Sequence, residues 1–394
     1  MSLFKLRGTL PSSTRIILEI SGILLLLSVW HLITMGAEPM MNPAIFPSPG
    51  TVLGAFGSLY SESDLVTNTF RSMGLNLAGY VEAISISLLI GFTVGLFPLF
   101  RGLFNRPIDA FRYVPLTAMT GLFITWFGLG IPMKTHFLAF GILIYLLPIV
   151  VQRIDEVNDV YLKTVYTLGA TDWQTIRSVY IPSVMSRLWD DIRVLTAISW
   201  TYIIIAEALG NQGGLGSLIY RLGQRQGKVD VIFALLLIII AIGFLQDRIF
   251  TYLDREFFPY KYQSGKNKER AAKEGIGESI WNFASGIIGW SLCALYVLLF
   301  INEFVGLYPV KVLDNFFGKT VWVIHLLGWS VIVYKLNSLY QKHTNKLITS
   351  PAVADNGEPV VNNAPKIKTE KKEIDKKEID KKDEGKKDEG KKDE

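Results

Sequence analysis

The chain has 394 residues, half of them hydrophobic, and its 40 lysines and arginines against 35 acidic residues leave a formal charge of +5. So small a balance is no signature of nucleic-acid binding, and in a chain this apolar the position of each charge matters more than the sum. A single cysteine, Cys293, excludes an intramolecular disulfide, and the four histidines (His31, His136, His325, His343) offer no pair at metal-ligand spacing.

The apolar residues are gathered into runs that suit a hydrocarbon layer, which takes about 20 residues per helix. The expected fold class is therefore an all-α polytopic membrane protein. Lys5, Arg7 and Arg15 precede a first run over 16–35. It is long for a signal peptide and no Ala-x-Ala-like site follows, so an uncleaved span is expected. The proline-rich stretch after it, MGAEPMMNPAIFPSPGTV, reads as an extended outer loop. A second span is expected over 75–100, where Gly91 and Gly95 have the spacing that lets helices approach, and packing within the chain is favoured over a dimer seam. A third is expected over 108–127, including Pro115, and a fourth over 137–151, with Lys134 and His136 at the turn before it.

Residues 155–182 form a polar island with its own internal order. Val157, Tyr161, Thr164, Val165 and Leu168 recur at helical spacing, and Gly169 stands where a left-handed residue would close that helix. Thr171 and Gln174 have the form of a capping box, and Asp172 places a negative charge in the first turn of a second helix. Trp173, Ile176, Val179 and Tyr180 supply its stripe, and Pro182 keeps it from continuing unkinked. The expected product is two short helices around a tight turn, displaying an aromatic face to a soluble partner or to the membrane surface.

A fifth span is expected over 189–209, with Asp190, Asp191 and Arg193 at one end and Glu207 inside the other. An ionisable residue at membrane depth points to a cavity or a partner, which makes Glu207 a candidate for the wall of a pathway; the alternative is an interfacial glutamate reaching water. GNQGGLGSLIY follows as a glycine-rich outer turn, and a sixth span covers 231–250. Arg101, Arg106, Arg112, Arg153, Lys163, Arg177, Arg187 and Arg193, with the dense group over 248–273, put both termini and the 155–182 element in the cytoplasm; Arg221, Arg225 and Lys228 partly violate that count.

No catalytic set emerges. There is no Gly-x-Ser-x-Gly elbow, and Gly318-Lys319-Thr320 fails as a phosphate loop because the position of its first glycine is Leu313. Two further apolar runs, over 280–304 and 320–339, follow a basic linker. From residue 351 the chain turns polar and then repeats KKEID and KKDEG, which cannot bury a core and reads as a solvated tail.

Gly169, Val179, Ile181 and Pro182 together resemble the Gly-x9-Ile-x-Leu-Pro core of the cytoplasmic coupling loop of ABC importer permeases. Phe46-Pro47-Ser48-Pro49 and TWFGLG resemble elements of the nitrate, sulfonate and taurine branch of that family. Lys163-Thr164-Val165 stands where the family motif opens on Glu-Ala-Ala. The resemblance implies a six-helix permease core over 1–262 with the coupling element at 155–182. A basic linker over 263–279, an additional transmembrane hairpin over 280–340 and a charged tail over 341–394 lie beyond it. It further implies ATPase coupling through Gly169, Ala170, Thr171, Asp172, Trp173, Ile176, Tyr180 and Pro182. ATP and Mg would be bound by a separate ATPase subunit and not by this chain, which itself carries no enzyme activity. Other implied partners are an extracytoplasmic solute-binding protein and a second copy of the chain in a bacterial inner membrane, moving a small solute such as nitrate, a sulfonate or taurine. The runner-up reading is a non-transporting scaffold or sensor derived from such a permease.

Overall fold

The computed structural model describes residues 11–36, 39–210, 212–262, 275–306 and 309–349, and every regular element among them is helical. Helix α1 (Ser12–Thr34) is apolar on all sides and largely exposed. It is fixed near its end, where Trp30 Nε1 donates to the Pro47 carbonyl at 3.0 Å and its ring packs against Phe46 and Phe233. The expected loop after it ends early, because Ser48 caps a helix, α2 (Pro49–Glu62), by accepting from the Thr51 N–H. Pro49 sits in its first turn, where the missing N–H costs nothing. The Phe-Pro-Ser-Pro stretch is a helix start.

Helix α3 (Leu65–Leu96) begins ten residues before the expected second span. Pro98 then opens a separate amphipathic helix, α4 (Pro98–Phe111), and α5 (Leu116–Phe127) follows. The expected third span over 108–127 is thus divided. Pro115 is the cause, since it can neither donate to the ladder nor clear the preceding turn. Helix α6 (Ile131–Asp155) takes in Lys134 and His136, which were expected at a turn. It lies along α3 closely enough that a Cβ on Gly91 would stand 2.6 Å from Val150, and one on Gly95 would stand 2.5 Å from Ile154. The paired glycines are filled from within the chain.

After two short helices described below, α9 (Ile181–Ala208) runs back through the core, and α10 (Leu215–Leu218) precedes α11 (Val229–Phe257). One apolar cluster joins α2, α3, α6, α9 and α11 through residues such as Leu59, Leu138, Ile142, Leu188, Ile203 and Leu235. Among the described residues, five helical stretches are long and apolar enough to cross a membrane: Ser13–Thr34, Leu65–Leu96, Ile131–Asp155, Val229–Phe257 and Val312–Gln341. Leu116–Phe127 and Gly289–Val305 are shorter apolar helices. Helix α9 has the length but carries Arg187, Asp190, Asp191, Arg193 and Glu207.

The chain divides into two compact units, Met1–Gly328 and Trp329–Glu394. Within the first, α12 (Gly275–Val305) and α13 (Val312–Phe317) are followed by a 3₁₀ turn (Gly318–Thr320) and the start of α14 (Val321–Thr349). The α13 turn is seated on α3. Phe316 and Phe317 ring centroids lie 5.2 and 5.4 Å from that of Phe70, and Thr320 fills the notch at Gly74. In the second unit the described residues continue α14 to Thr349. Most of the expected linker, 263–274, and the repeat tail beyond 349 lie outside the described residues.

Candidate functional site

The 155–182 island is built as two helices at the end of α6. Asn158 caps α7 (Asp159–Thr167) by accepting from the Val160 N–H at 2.9 Å. At the other end Gly169 takes φ +78°, its N–H donates to the Tyr166 carbonyl, and the Ala170 N–H reaches back to Val165. That is the two-bond closure of a left-handed helix cap. Thr171 then opens α8 (Asp172–Thr175) with both halves of a capping box: Thr171 Oγ1 accepts from the Gln174 N–H, and Gln174 Oε1 accepts from the Thr171 N–H at 2.8 Å. The Tyr166 hydroxyl donates to Asp172 across the turn. These local bonds fix the turn without help from the rest of the fold.

The irregularity expected at Pro182 takes the form of a π turn just before it. The chain does not stop there but passes through a π turn (Ile176–Tyr180) directly into α9, with the Ile181 N–H donating to the Ile176 carbonyl. One surplus residue in the turn absorbs the donor that Pro182 lacks. The second short helix is therefore the first turn of a continuous rod running to Ala208, and α9 starts eight residues before the expected 189.

The two faces of the element are not those of the expected stripes. Val157, Thr175 and Val179 are buried, while Leu162, Val165, Ile176 and Tyr180 are half-buried. Val160, Tyr161, Tyr166, Leu168 and Trp173 are exposed, Leu168 at 81% and Trp173 at 68%. Of the large side chains expected to couple, Trp173 alone projects, while Ile176 and Tyr180 are half-buried and serve largely to hold the element down. Gly169, Thr171 and Asp172 are exposed on the turn, and Ala170 and Pro182 are half-buried.

Ion pairs mount this element on the helices behind it. Arg153 forks both oxygens of Asp191 at 2.7 Å and donates to Glu156 at 2.6 Å. Arg187 donates to the same Glu156 carboxylate and to its backbone carbonyl. Arg101 pairs with Asp155 through both nitrogens of its guanidinium end. The Tyr260 hydroxyl donates to the Pro182 carbonyl at 2.9 Å. Hydrogen bonding from Arg153 holds the Glu156 carboxyl below the usual carboxylate range.

Glu207 lies at the far end of α9, where the glycine-rich turn folds back. It is 2% exposed and enclosed by the chain. Ser72 on α3 donates to the carboxylate at 2.7 Å, and the Gly216 N–H donates at 2.8 Å. The next two N–H groups of the turn are pinned as well, Leu215 by Ser72 Oγ and Gly214 by Asn68 Oδ1. Buried Lys134 lies on the α6 side of the same cluster. In this conformation Glu207 fastens the turn to α3 and faces no open space. Its partners had a signal in the sequence, since Asn68, Ser72, Asn76 and Tyr80 form a polar row at four-residue spacing on an apolar helix.

Among the described residues the chain is helical, with several candidate membrane spans and a capped, exposed knuckle at the end of α6. Residues 83–258 match the family model for the binding-protein-dependent transport system inner membrane component. The taurine transport system permease protein TauC of Escherichia coli K12 is 24% identical over 261 residues, which cover 65% of this chain and 94% of that one. The riboflavin transport system permease protein RibX of Chloroflexus aurantiacus is 28% identical over 201 residues, 50% of this chain and 73% of that one. A solved structure of the MetNI methionine ABC transporter in an inward-facing conformation aligns with TM-score 0.45 at 17% identity, over 49% of this chain and 95% of its own. Residues 83–258 thus resemble the inner membrane component of binding-protein-dependent transport systems, and the match ends before the α12–α14 segment.

Proposed function

We propose that this chain forms half of the transmembrane pathway of an ATP-driven importer and that the 155–182 element seats in a groove of a separate ATPase subunit. A second copy related by a two-fold axis supplies the other half. The ATPase binds ATP and Mg, and an extracytoplasmic binding protein delivers the solute. Both termini and the element then lie in the cytoplasm, the orientation that the arginine and lysine distribution favours.

The observation that carries the reading is the element itself: a rigid turn presenting Leu168 and Trp173 to solvent, continuous with α9 and mounted by Arg153, Glu156 and Arg187. Exposed large apolar side chains on an otherwise polar tip suit a buried protein contact, in which aromatic anchors dominate the energy. The taurine and riboflavin relatives leave the solute open between a small sulfonate-bearing molecule and a larger organic one.

Trp173→Ala tests the proposal. Truncating the anchor is expected to weaken ATPase retention by about thirtyfold, the equivalent of about 2 kcal/mol, and to abolish transport while membrane insertion is kept. Normal retention and normal transport in that variant would refute the coupling role.

A further inference from the structure

Between α9 and α11 an open groove of about 430 Å³ is lined by Asp190, Arg193, Val194, Thr196, Trp200 and Asp247, among others. Its centre is a forked ion pair, with Arg193 Nε donating to Asp247 Oδ1 at 2.5 Å and a second guanidinium nitrogen donating to Oδ2 at 2.9 Å. The Arg193 and Asp247 side chains remain 35% and 41% exposed, and Asp190, held on its other side by Lys261, is 56% exposed. Around them the surface is apolar: Val194, Ile240 and Phe244 are each at least 60% exposed. Three open charges in such a surface cannot face hydrocarbon without heavy desolvation cost, so this strip has to meet water or polar matter.

The volume falls within the roughly 300–1,000 Å³ of small-molecule sites. Its lining offers two carboxylates and one guanidinium beside the Trp200 ring. Asp190 is already paired with Lys261 and Arg193 with Asp247, so a bare ion of either sign that displaces one partner leaves the displaced group without a counterpart. A small solute carrying both an ammonium and an anionic group complements both signs. We propose that this groove is a transit site for such a zwitterion, with the ammonium toward Asp190 and Asp247 and the anionic group toward Arg193. The site rests on the permease reading and narrows its solute class. Because the groove and the Trp173 turn lie on one rod, displacement of the turn is delivered to Arg193 directly.

The test uses Val194→Cys in the full chain with Cys293→Ser, in membrane fragments leaky to the reagents. The introduced thiol is expected to react with charged methanethiosulfonates. Adding Asp190→Asn should slow the cationic reagent relative to the anionic one by about threefold as the local field weakens. Taurine, used as the probe, should slow labelling by about fivefold, the occupancy factor of a ligand well above its dissociation constant. Ethanesulfonate and ethylamine at the same concentration should not. An unreactive thiol, equal protection by ethanesulfonate, or protection by phosphatidylethanolamine in place of taurine would each overturn the site. Failure of the permease reading itself would show separately, as ATPase retention unaffected by Trp173→Ala.

Discussion

At the scale of single residues the site depends on a backbone angle and a shared carboxylate. Nothing lies within 4 Å of a Cβ built on Gly169, so any substitution there is opposed by its φ of +78° alone. Gly169→Ala is expected to cost about 1 kcal/mol and Gly169→Val more, since β-branching resists positive φ; thermal melts of the purified variants give the order. Glu156 sets a pH limit. Its folded pKa is depressed, so its contribution is complete above the unfolded value of about 4.3 and fades as pH falls through the folded one. Melting temperature should therefore drop below about pH 4.5, and Glu156→Gln should flatten that part of the profile. Gly169 and the Thr171–Gln174 pair were legible because a cap is decided by neighbours in sequence. Which residues project was not. The stripe groups Val157 with Tyr161 and Leu168, but the protein covers Val157 together with Leu162 and leaves Tyr161 and Leu168 exposed.

At the scale of elements, two prolines part company. Pro115 separates α4 from α5, whereas Pro182 lies inside a rod because the π turn before it rearranges the ladder. Local pattern identifies the defect; only the surrounding packing decides whether the chain breaks or continues. The long spans were readable from their apolar runs, yet α3 and α6 begin earlier than hydropathy suggests, because polar residues such as Asn68, Ser72 and Lys134 are buried around Glu207 and the glycine-rich turn. That cluster predicts a severe substitution. A Cβ on Gly214 would stand 2.3 Å from the Glu207 carboxylate on a residue with φ +103°, so Gly214→Ala should release the turn from α3. Faster amide exchange confined to 213–219 would report it; unchanged exchange would mean the turn is held by other contacts. Gly91→Val should act on the α3–α6 seam, where overpacking typically costs 1–3 kcal/mol, roughly.

At the scale of the whole chain, the segment beyond the family match is attached rather than appended. Its α13 turn rests on α3 through Phe70 and the Gly74 notch, and Phe70 stands between Asn68 and Ser72, which bond the glycine-rich turn. Gly74→Leu is expected to displace that turn while the core keeps its fold, read as protease cleavage appearing within 306–320; resistance to cleavage would show a stronger seat than these contacts. The run of apolar residues disclosed the added helices, but no pattern disclosed their resting place, since complementarity between Phe70 and Phe316 exists only once both helices are built. The π turn has a last implication for how such a lever is indexed. One residue fewer between Ile176 and Tyr180 would swing the Trp173 tip by about 100° around the rod's axis and draw it in by about 1.5 Å. The angular setting between the tip and the charged groove is thus stored in a single peptide unit, like the offset of one tooth on a gear.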